Sequence, residues 1–202
     1  MSAAAIALSS LGWKVFPTLR RKPVVKDWPG LATTDHEQLC AWWERWPDAD
    51  PAVHAGASGL VVLDIDGAEG WASMPELERI NGAWLEPTLK VQTGRGEHWY
   101  YRRPDRPCGN GTAIHGLAGL DVRADRGFVF APGARHRSKA GDTTGHTYQF
   151  IVRPRCPLGV LRHLANSLPI APACICLDAD SRPGRKDDAK GAFADVFNGG
   201  QQ

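Results

Sequence analysis

Two aspartates follow an apolar run and could bind a divalent metal ion. Asp64 and Asp66 come directly after Leu60–Leu63. Side chains two residues apart on a strand point to the same face, about 7 Å from each other. Like charges at the end of a buried strand are costly unless they are paired or bound to a cation. Mg²⁺ and Mn²⁺ favour carboxylate oxygens, so the pair predicts a metal site. The alternative is that both acids only cap a turn at an exposed strand end.

A third aspartate extends this hypothesis. Asp121 lies on a later apolar segment, and Arg123 shares its face if the segment is a strand. Three carboxylates can hold two ions about 3.5–4 Å apart, which stabilise the attacking and leaving oxygens of an in-line displacement.

A glycine-rich turn suggests phosphate binding. The sequence GRGEH at 94–98 leads into the aromatic residues 99–101. Glycine lets the backbone approach phosphate oxygens, and Arg95 could add a charge-assisted bond. His98 could donate from a ring nitrogen to a phosphate, although a histidine in this position, taken alone, fits a structural role better.

The hydropathy pattern predicts the elements that position these residues. A helix at 3–11 precedes a strand at 13–16 that Pro17 ends, and a helix with its N-cap at Thr34 continues to Pro47. The tryptophans of that helix are interpreted as packing residues. The further predictions are helices at 68–81 and 157–167 and strands at 59–67, 89–93, 98–102, 120–123, 128–131 and 148–152.

Taken in order, these motifs resemble the bifunctional primase-polymerase family of the archaeo-eukaryotic primase superfamily. That family shows hhhDhD, then small-x-His, then hD on a later strand. The matching stretches here are VVLDID at 61–66, GEH at 96–98 and GLD at 119–121. Flanking stretches agree at 12–17, 32–35 and 127–132, and the resemblance covers roughly residues 4–165. The family often has serine in place of Gly96, so only His98 carries over from the second motif.

The resemblance implies an α+β fold and a set of site residues. A distorted sheet of the RNA-recognition type would pack against a smaller N-terminal α/β unit, with the active site in the cleft between them. Asp64, Asp66 and Asp121 would hold Mg²⁺ or Mn²⁺, and His98 would bind the phosphates of a nucleoside triphosphate.

Four basic residues are further candidates for contacts with triphosphate or template, chosen for charge and position: Arg95, Arg123, Lys22 and His136. Basic clusters at 20–22, 102–106 and 135–139 could surround the acidic centre, as suits a bound polyanion, although each could equally be solvated surface.

The implied function is template-directed nucleotidyl transfer that synthesises primers and extends DNA in plasmid, phage or mobile-element replication. The implied partners are single-stranded or primed DNA, nucleoside triphosphates, and a helicase domain, to which this family is often fused. One alternative is an initiator module that binds DNA without catalysis. Another is a haloacid-dehalogenase-type phosphatase, whose signature matches DIDG at 64–67 but is normally followed by threonine or valine, where this chain has Ala68.

Composition indicates one globular domain with a tail. The chain has 202 residues, a net charge of +2 and no apolar run of the roughly 20 residues that span a bilayer. A catalytic domain is expected over 1–168 and a polar linker or tail over 169–202, with one short helix possible at 189–197. The N-terminus lacks the basic start of a signal peptide, so a cytoplasmic location without a membrane partner is expected.

The five cysteines include no CxxC pair and indicate no disulfide framework. Ordinary reduced cysteines are favoured, although Cys108 and His115 could belong to a zinc site with ligands elsewhere.

Overall fold

A computed structural model describes residues 3–151 and 158–177. The helices are α1 Ala3–Ser9, α2 Trp28–Leu31, α3 His36–Arg45, α4 Gly67–Asn81 and α5 Leu158–Asn166. The strands are β1 Val15–Leu19, β2 Lys22–Pro23, β3 Asp50–His54, β4 Leu60–Ile65, β5 Leu89–Gln92, β6 Glu97–Arg102, β7 Leu120–Arg123, β8 Phe128–Phe130, β9 Arg135–Arg137, β10 Thr143–Thr147 and β11 Gln149–Phe150.

The strands of the described residues form two larger sheets and one hairpin. A five-stranded sheet has the order β11-β5-β6-β4-β7, and a four-stranded sheet has the order β2-β1-β3-β8. Strands β9 and β10 form the hairpin. Every strand pair is antiparallel. Antiparallel sheets interrupted by helices define the α+β class, which confirms the class predicted from the sequence.

Strand β4 lies between two apolar cores because it is covered on both faces. Val61, Leu63 and Ile65 pack into one core with α4. Leu60 and Val62 face the other core, which also contains α1, α3 and the four-stranded sheet. A strand buried on both faces reads as a continuous apolar run, which is why β4 is easy to predict. By alternation, Asp64 lies on the side of the four-stranded sheet.

Some elements differ from the prediction. Pro17 does not end the first strand but lies inside β1, opposite Pro51 of β3. At a non-hydrogen-bonded antiparallel pair neither residue donates across the pair, so the missing N–H groups are tolerated there. Helix α3 begins after Asp35 instead of Thr34, because the Asp35 carboxylate accepts a 2.7 Å hydrogen bond from the Gln38 backbone N–H. Strands β2, β3, β9 and β10 and helix α2 were not predicted.

Residues 169–177 are packed against the domain, whereas the composition suggested that a linker or tail begins at 169. The backbone N–H of Arg102 donates to Pro169 at 2.8 Å, and Ala171 donates to Arg102 at 2.9 Å. Ile175 is fully buried in the core beside β4. We therefore propose that the globular domain includes residues 169–177 and extends beyond the limit of 168 expected from the sequence. The possible helix at 189–197 lies outside the described residues.

The cysteines also differ from the expectation. Cys108 and Cys176, which are 68 residues apart in sequence, form a disulfide with a Cα–Cα separation of 5.1 Å. The sequence did not indicate this pair because only the packing of residues 171–177 brings the two cysteines together.

The packing of residues 169–177 predicts a stability effect. Replacing Ile175 by alanine should lower the free energy of unfolding by about 2–5 kcal/mol, because a buried side chain is lost and a cavity remains. Ile170→Ala is the matched control, since Ile170 is exposed in the same segment. Chemical denaturation measures both variants. Equal, small effects would show that the segment does not contribute to the folded core.

Candidate active site

Three of the predicted site residues lie side by side across the five-stranded sheet. In the strand register, Asp64 of β4 is opposite Asp121 of β7 on one side and His98 of β6 on the other. Residues directly opposite each other in antiparallel strands have Cβ atoms about 4.5–5.5 Å apart and point to the same face. The sheet therefore presents two carboxylates and an imidazole in one row.

Asp66 joins this row from the end of β4. Its backbone N–H donates to the Gly119 carbonyl at 2.8 Å, just before β7 begins. Asp66 is the N-cap residue of α4, but its side chain makes no capping hydrogen bond. The carboxylate instead accepts a 2.6 Å bond from Arg95 Nη2. Asp66 thus faces the glycine-rich turn at 94–96, with no capping bond to the helix.

Partial burial favours the protonated form of the Asp64 carboxyl group. Loss of water contact, together with the smaller effects of the Asp121 and Asp66 charges, raises the pKa of this carboxyl to about 7, although Arg123 and Arg95 oppose the shift. A cation within a few ångströms favours the ionised form of a carboxyl group. The donor set and its unfavourable electrostatics therefore fit a divalent cation.

His98 is almost completely buried beside Asp64. Its Nε2 lies 3.5 Å from Asp64 Oδ1. Burial, with a smaller contribution from Arg123, lowers the pKa of His98 to about 3, so the ring is neutral at pH 7. The buried Nδ1 has no hydrogen-bond partner within the part of the chain that the structure describes. A neutral imidazole has one N–H donor and one acceptor nitrogen, and here one nitrogen has no partner.

Two arginines pair with the outer carboxylates. Arg95 bonds Asp66, and Arg123 Nη2 bonds Asp121 Oδ2 at 2.9 Å. As the side chains stand, no three His, Cys, Asp or Glu side chains among residues 3–151 and 158–177 are grouped as a metal site. Arg95 is largely exposed, and exposed ion pairs contribute only about 0–1 kcal/mol, so this arginine can leave Asp66 at low cost.

Two cavities adjoin Asp64. One, of about 470 Å³, is called here the basic cavity, and the other, of about 480 Å³, is called the aromatic cavity. Both are lined by Arg21, Asp64, His98 and Tyr148. The basic cavity adds Asp66, Thr93, Arg95, His136, Arg137, Ser138 and Lys139. The aromatic cavity adds Trp28, Asn110, Arg123, Arg126, Gly127, Phe128, Val129 and Phe130.

The buried carboxylate of Asp50 anchors the strand that lines one side of the basic cavity. Asp50 of β3 accepts 2.7 Å bonds from Arg135 Nε and Arg137 Nε. These two arginines flank His136 on β9, whose ring packs directly against Gly94. His136, which follows the last motif in the sequence, therefore contacts the glycine-rich turn because it lies on β9, a strand that was not predicted.

The second motif has no room for a side chain at its first position. A Cβ on Gly96 would overlap the carbonyl oxygen of Ile65. The Thr93 hydroxyl accepts a 2.9 Å bond from the Gly96 N–H and so fixes the turn. Serine, which the family often has in this position, would not fit this backbone. The close packing of β4 against the turn therefore explains why this chain has glycine here.

The structure brings most of the predicted residues together and adds two residues that line both cavities beside Asp64. Arg95, Arg123 and His136 line the cavities, whereas Lys22 lines a separate cavity with Arg20. The sequence analysis missed Arg21 and Tyr148. Tyr148 carries no distinctive sequence signal. For Arg21 the available signal was the basic cluster at 20–22.

The fold and site together define an α+β domain whose acidic row is bordered by basic side chains. The family model described as bifunctional DNA primase/polymerase, N-terminal, matches residues 4–173. The chain belongs to this family, which confirms the resemblance seen in its motifs. No curated protein matches the chain. None of the helices in the described ranges is both long and apolar enough to cross a membrane.

The conformation of the β1–β2 turn predicts opposite effects of one substitution on folding stability and on ligand affinity. Arg20 and Arg21 form a two-residue loop with φ values of 47° and 69°, a type I′ conformation that favours Asn-Gly. Non-glycine residues in this region cost roughly 1 kcal/mol or more. Arg20→Gly and Arg21→Gly should each raise stability by about 1 kcal/mol. Only Arg21→Gly should weaken binding of a nucleoside triphosphate, by about 10-fold, because a lost bond to a charged group is worth about 1.5–3 kcal/mol.

Calorimetric titration with a nucleoside triphosphate and thermal denaturation measure these two effects. Arg20 is the matched control because it shares the strained turn but lines neither cavity beside Asp64. Equal nucleotide affinities in the two variants would remove Arg21 from the binding site.

Proposed function

We propose that this chain catalyses template-directed nucleotidyl transfer, extending primers and starting new ones on single-stranded DNA. Membership in the primase/polymerase family supports DNA primase/polymerase activity. The observation that carries the finer proposal is the row of Asp121, Asp64 and His98 across three strands, with Asp66 beside it and a basic cavity next to it.

Asp64, Asp66 and Asp121 are the residues that would hold Mg²⁺ or Mn²⁺. When bound, such ions lower the pKa of an attacking 3′-hydroxyl and neutralise the charge of the triphosphate and of the departing pyrophosphate. The half-buried carboxyl of Asp64, with two further carboxylates beside it, supports this assignment, because a cation would compensate its partial loss of water contact.

The basic cavity suits the triphosphate. His98 would donate one hydrogen bond from its neutral ring to a phosphate oxygen. Arg21, Arg95, Arg137 and Lys139 would surround the phosphates with positive charge, and Arg95 would exchange Asp66 for a phosphate. Such fixed charges act by positioning the reactants and stabilising the charge that develops, without a covalent intermediate.

The aromatic cavity suits a nucleobase. Phe128, Phe130 and Trp28 provide aromatic surfaces beside Arg126. Stacking on aromatic side chains is tolerant of sequence and contributes about 1–3 kcal/mol per base. We assign the five-stranded sheet with α4 to the RNA-recognition-type half of the family fold, and the four-stranded sheet with α1 and α3 to the smaller N-terminal unit. Asp64 faces the cleft between these halves.

Two other functions have less support. An initiator module without catalysis would not need three acids and a histidine brought into one row. The phosphatase alternative relied on DIDG at 64–67, and the family match accounts for this sequence as part of the primase motif.

Removing the carboxylates tests the proposed function. Asp64→Asn/Asp66→Asn should lower primer extension and de novo priming by about 10³-fold or more, because metal contributes several kcal/mol of charge stabilisation in the transition state. Asp105→Asn is the matched control, since Asp105 is exposed and lines neither cavity. Incorporation of labelled nucleotides with Mg²⁺ and Mn²⁺ measures the effect. Near-normal incorporation by the folded double variant would exclude the metal assignment.

His98 has a separate expected effect. His98→Ala should weaken binding of a nucleoside triphosphate by about 10-fold or more, the loss expected for one hydrogen bond to a charged group. DNA binding without nucleotide should change little, because His98 is buried between the cavities. Fluorescence titrations with each ligand separate the two affinities. Unchanged nucleotide affinity in a folded variant would leave His98 with a structural role.

A further inference from the structure

A third cavity, of about 800 Å³, adjoins the basic cavity and is called here the second basic cavity. Arg137 and Lys139 line both of them. The other residues that line the second basic cavity are Leu19, Arg20, Lys22, Asp48, Arg135 and Ala140. Positive charge therefore continues from the cavity beside Asp64 into a space that none of the three site carboxylates lines.

Two segments that are distant in sequence, the β1–β2 turn and the β9–β10 hairpin, form this cavity and contact each other directly. Arg21 Nη1 donates to the Arg137 carbonyl oxygen at 3.3 Å. A Cβ on Gly141 of the hairpin would lie 3.2 Å from Arg20 Cβ, so the turn packs closely on the hairpin. Arg137 Nη1 also donates to the Gly141 carbonyl oxygen at 3.1 Å. The fold thus holds both walls of the cavity in position.

The cations of the second basic cavity differ in whether they already have a partner. The two arginines of β9 are bonded to the buried Asp50. The side chains of Arg20, Lys22 and Lys139 are exposed and make no ion pair or hydrogen bond within the part of the chain that the structure describes. Unpaired cations that face one space repel each other, and a bound anion relieves this repulsion. The cavity is therefore suited to a polyanion.

The strained conformation of the β1–β2 turn also favours a binding role. Its two central residues, Arg20 and Arg21, have φ values that suit glycine or asparagine better than arginine. Strain of this kind is concentrated at binding and catalytic sites, where the rest of the fold sustains it. Here the turn directs Arg21 to the cavities beside Asp64 and Arg20 to the second basic cavity. Two adjacent cations thereby serve two different spaces.

We propose that the second basic cavity binds the phosphate backbone of single-stranded DNA that extends out of the basic cavity. A positively charged groove is the feature that follows the backbone of a single strand, and such contacts position the strand without reading its sequence. Identifying this strand as the template rests on the proposed function, whereas the binding of a DNA backbone does not.

The lining favours a nucleic-acid backbone over a free nucleotide. None of the described residues that line the second basic cavity is aromatic, so it offers no ring on which a base can stack. The cavities beside Asp64 combine cations with aromatic rings, which suits a nucleoside triphosphate better. The two spaces therefore predict separate effects of substitution on DNA affinity and on nucleotide affinity.

Binding of a fluorescently labelled thymidine oligonucleotide, without metal or nucleotide, tests the proposal. Fluorescence anisotropy gives the affinity at a series of salt concentrations. Lys22→Ala and Arg20→Gly should each lower the slope of log affinity against log salt by about 0.7, the value for one phosphate contact with a single strand. At about 0.1 M salt this corresponds to an affinity loss of about 5-fold. Lys26→Ala is the matched control, because Lys26 is exposed nearby in sequence and lines none of these three cavities.

Nucleotide affinity and stability exclude other causes of a loss. Lys22→Ala and Arg20→Gly should keep their affinity for a nucleoside triphosphate, because neither residue lines the cavities beside Asp64. Arg20→Gly should also be more stable than the unaltered protein in thermal denaturation, so unfolding would not explain weaker DNA binding.

Two results would overturn the proposal. One is that folded Lys22→Ala and Arg20→Gly bind the oligonucleotide with the affinity and salt dependence of Lys26→Ala. The other is that both variants lose nucleotide affinity while their DNA affinity is unchanged, since the cavity would then hold a free nucleotide. Nucleotide incorporation is measured separately, so failure of the proposed function leaves the DNA-binding result interpretable.

Discussion

The register of β4 with β6 and β7 determines whether this site exists. Asp64, Asp121 and His98 share a face only because each pair is directly opposite. A slip of one residue in any strand would turn its side chains to the other face of the sheet. Glycines hold the register closely, because a Cβ at Gly96 would overlap the Ile65 carbonyl and a Cβ at Gly119 would overlap the backbone of Gly70. The two turns that border the acidic row can approach β4 and α4 only without side chains.

Opposite charges at different depths organise the surroundings of this row. Asp50 is deeply buried, and its two arginines satisfy both carboxylate oxygens, so it fastens β9 to the four-stranded sheet. Asp66 is more exposed, and its arginine is held loosely. A buried ion pair is strongly destabilising when one partner is removed, by about 3–5 kcal/mol, whereas an exposed pair contributes little. The buried pair therefore suits a structural task, and the exposed pair suits a contact that exchanges when a ligand arrives.

The sequence predicts the parts of the site that depend on local pattern. Strands β4, β6 and β7 were predicted because their apolar residues are continuous or alternate, and the family motifs fall on them. Strand β3 was missed because its first residues, Asp50 and Pro51, are untypical of a strand; Asp50 can be buried only because arginines 85 and 87 residues later reach it.

Side-chain neighbours that depend on turns or on distant segments were equally difficult to predict. Arg21 and Lys22 are adjacent in sequence, but the turn between β1 and β2 sends Arg21 to the cavities beside Asp64 and leaves Lys22 in another. The meeting of Cys108 with Cys176 depends on how a C-terminal segment packs, which no local pattern records.

The two cavities share Arg21, Asp64, His98 and Tyr148 as a common wall. Any ligand that shifts one of these side chains alters the surface that the other cavity presents. The two binding equilibria are then coupled, and thermodynamic linkage makes the coupling reciprocal: whatever factor the first ligand imposes on the affinity of the second, the second imposes on the first. A shared wall of this kind lets a ligand in one cavity change the affinity of the other cavity without any movement of the strands.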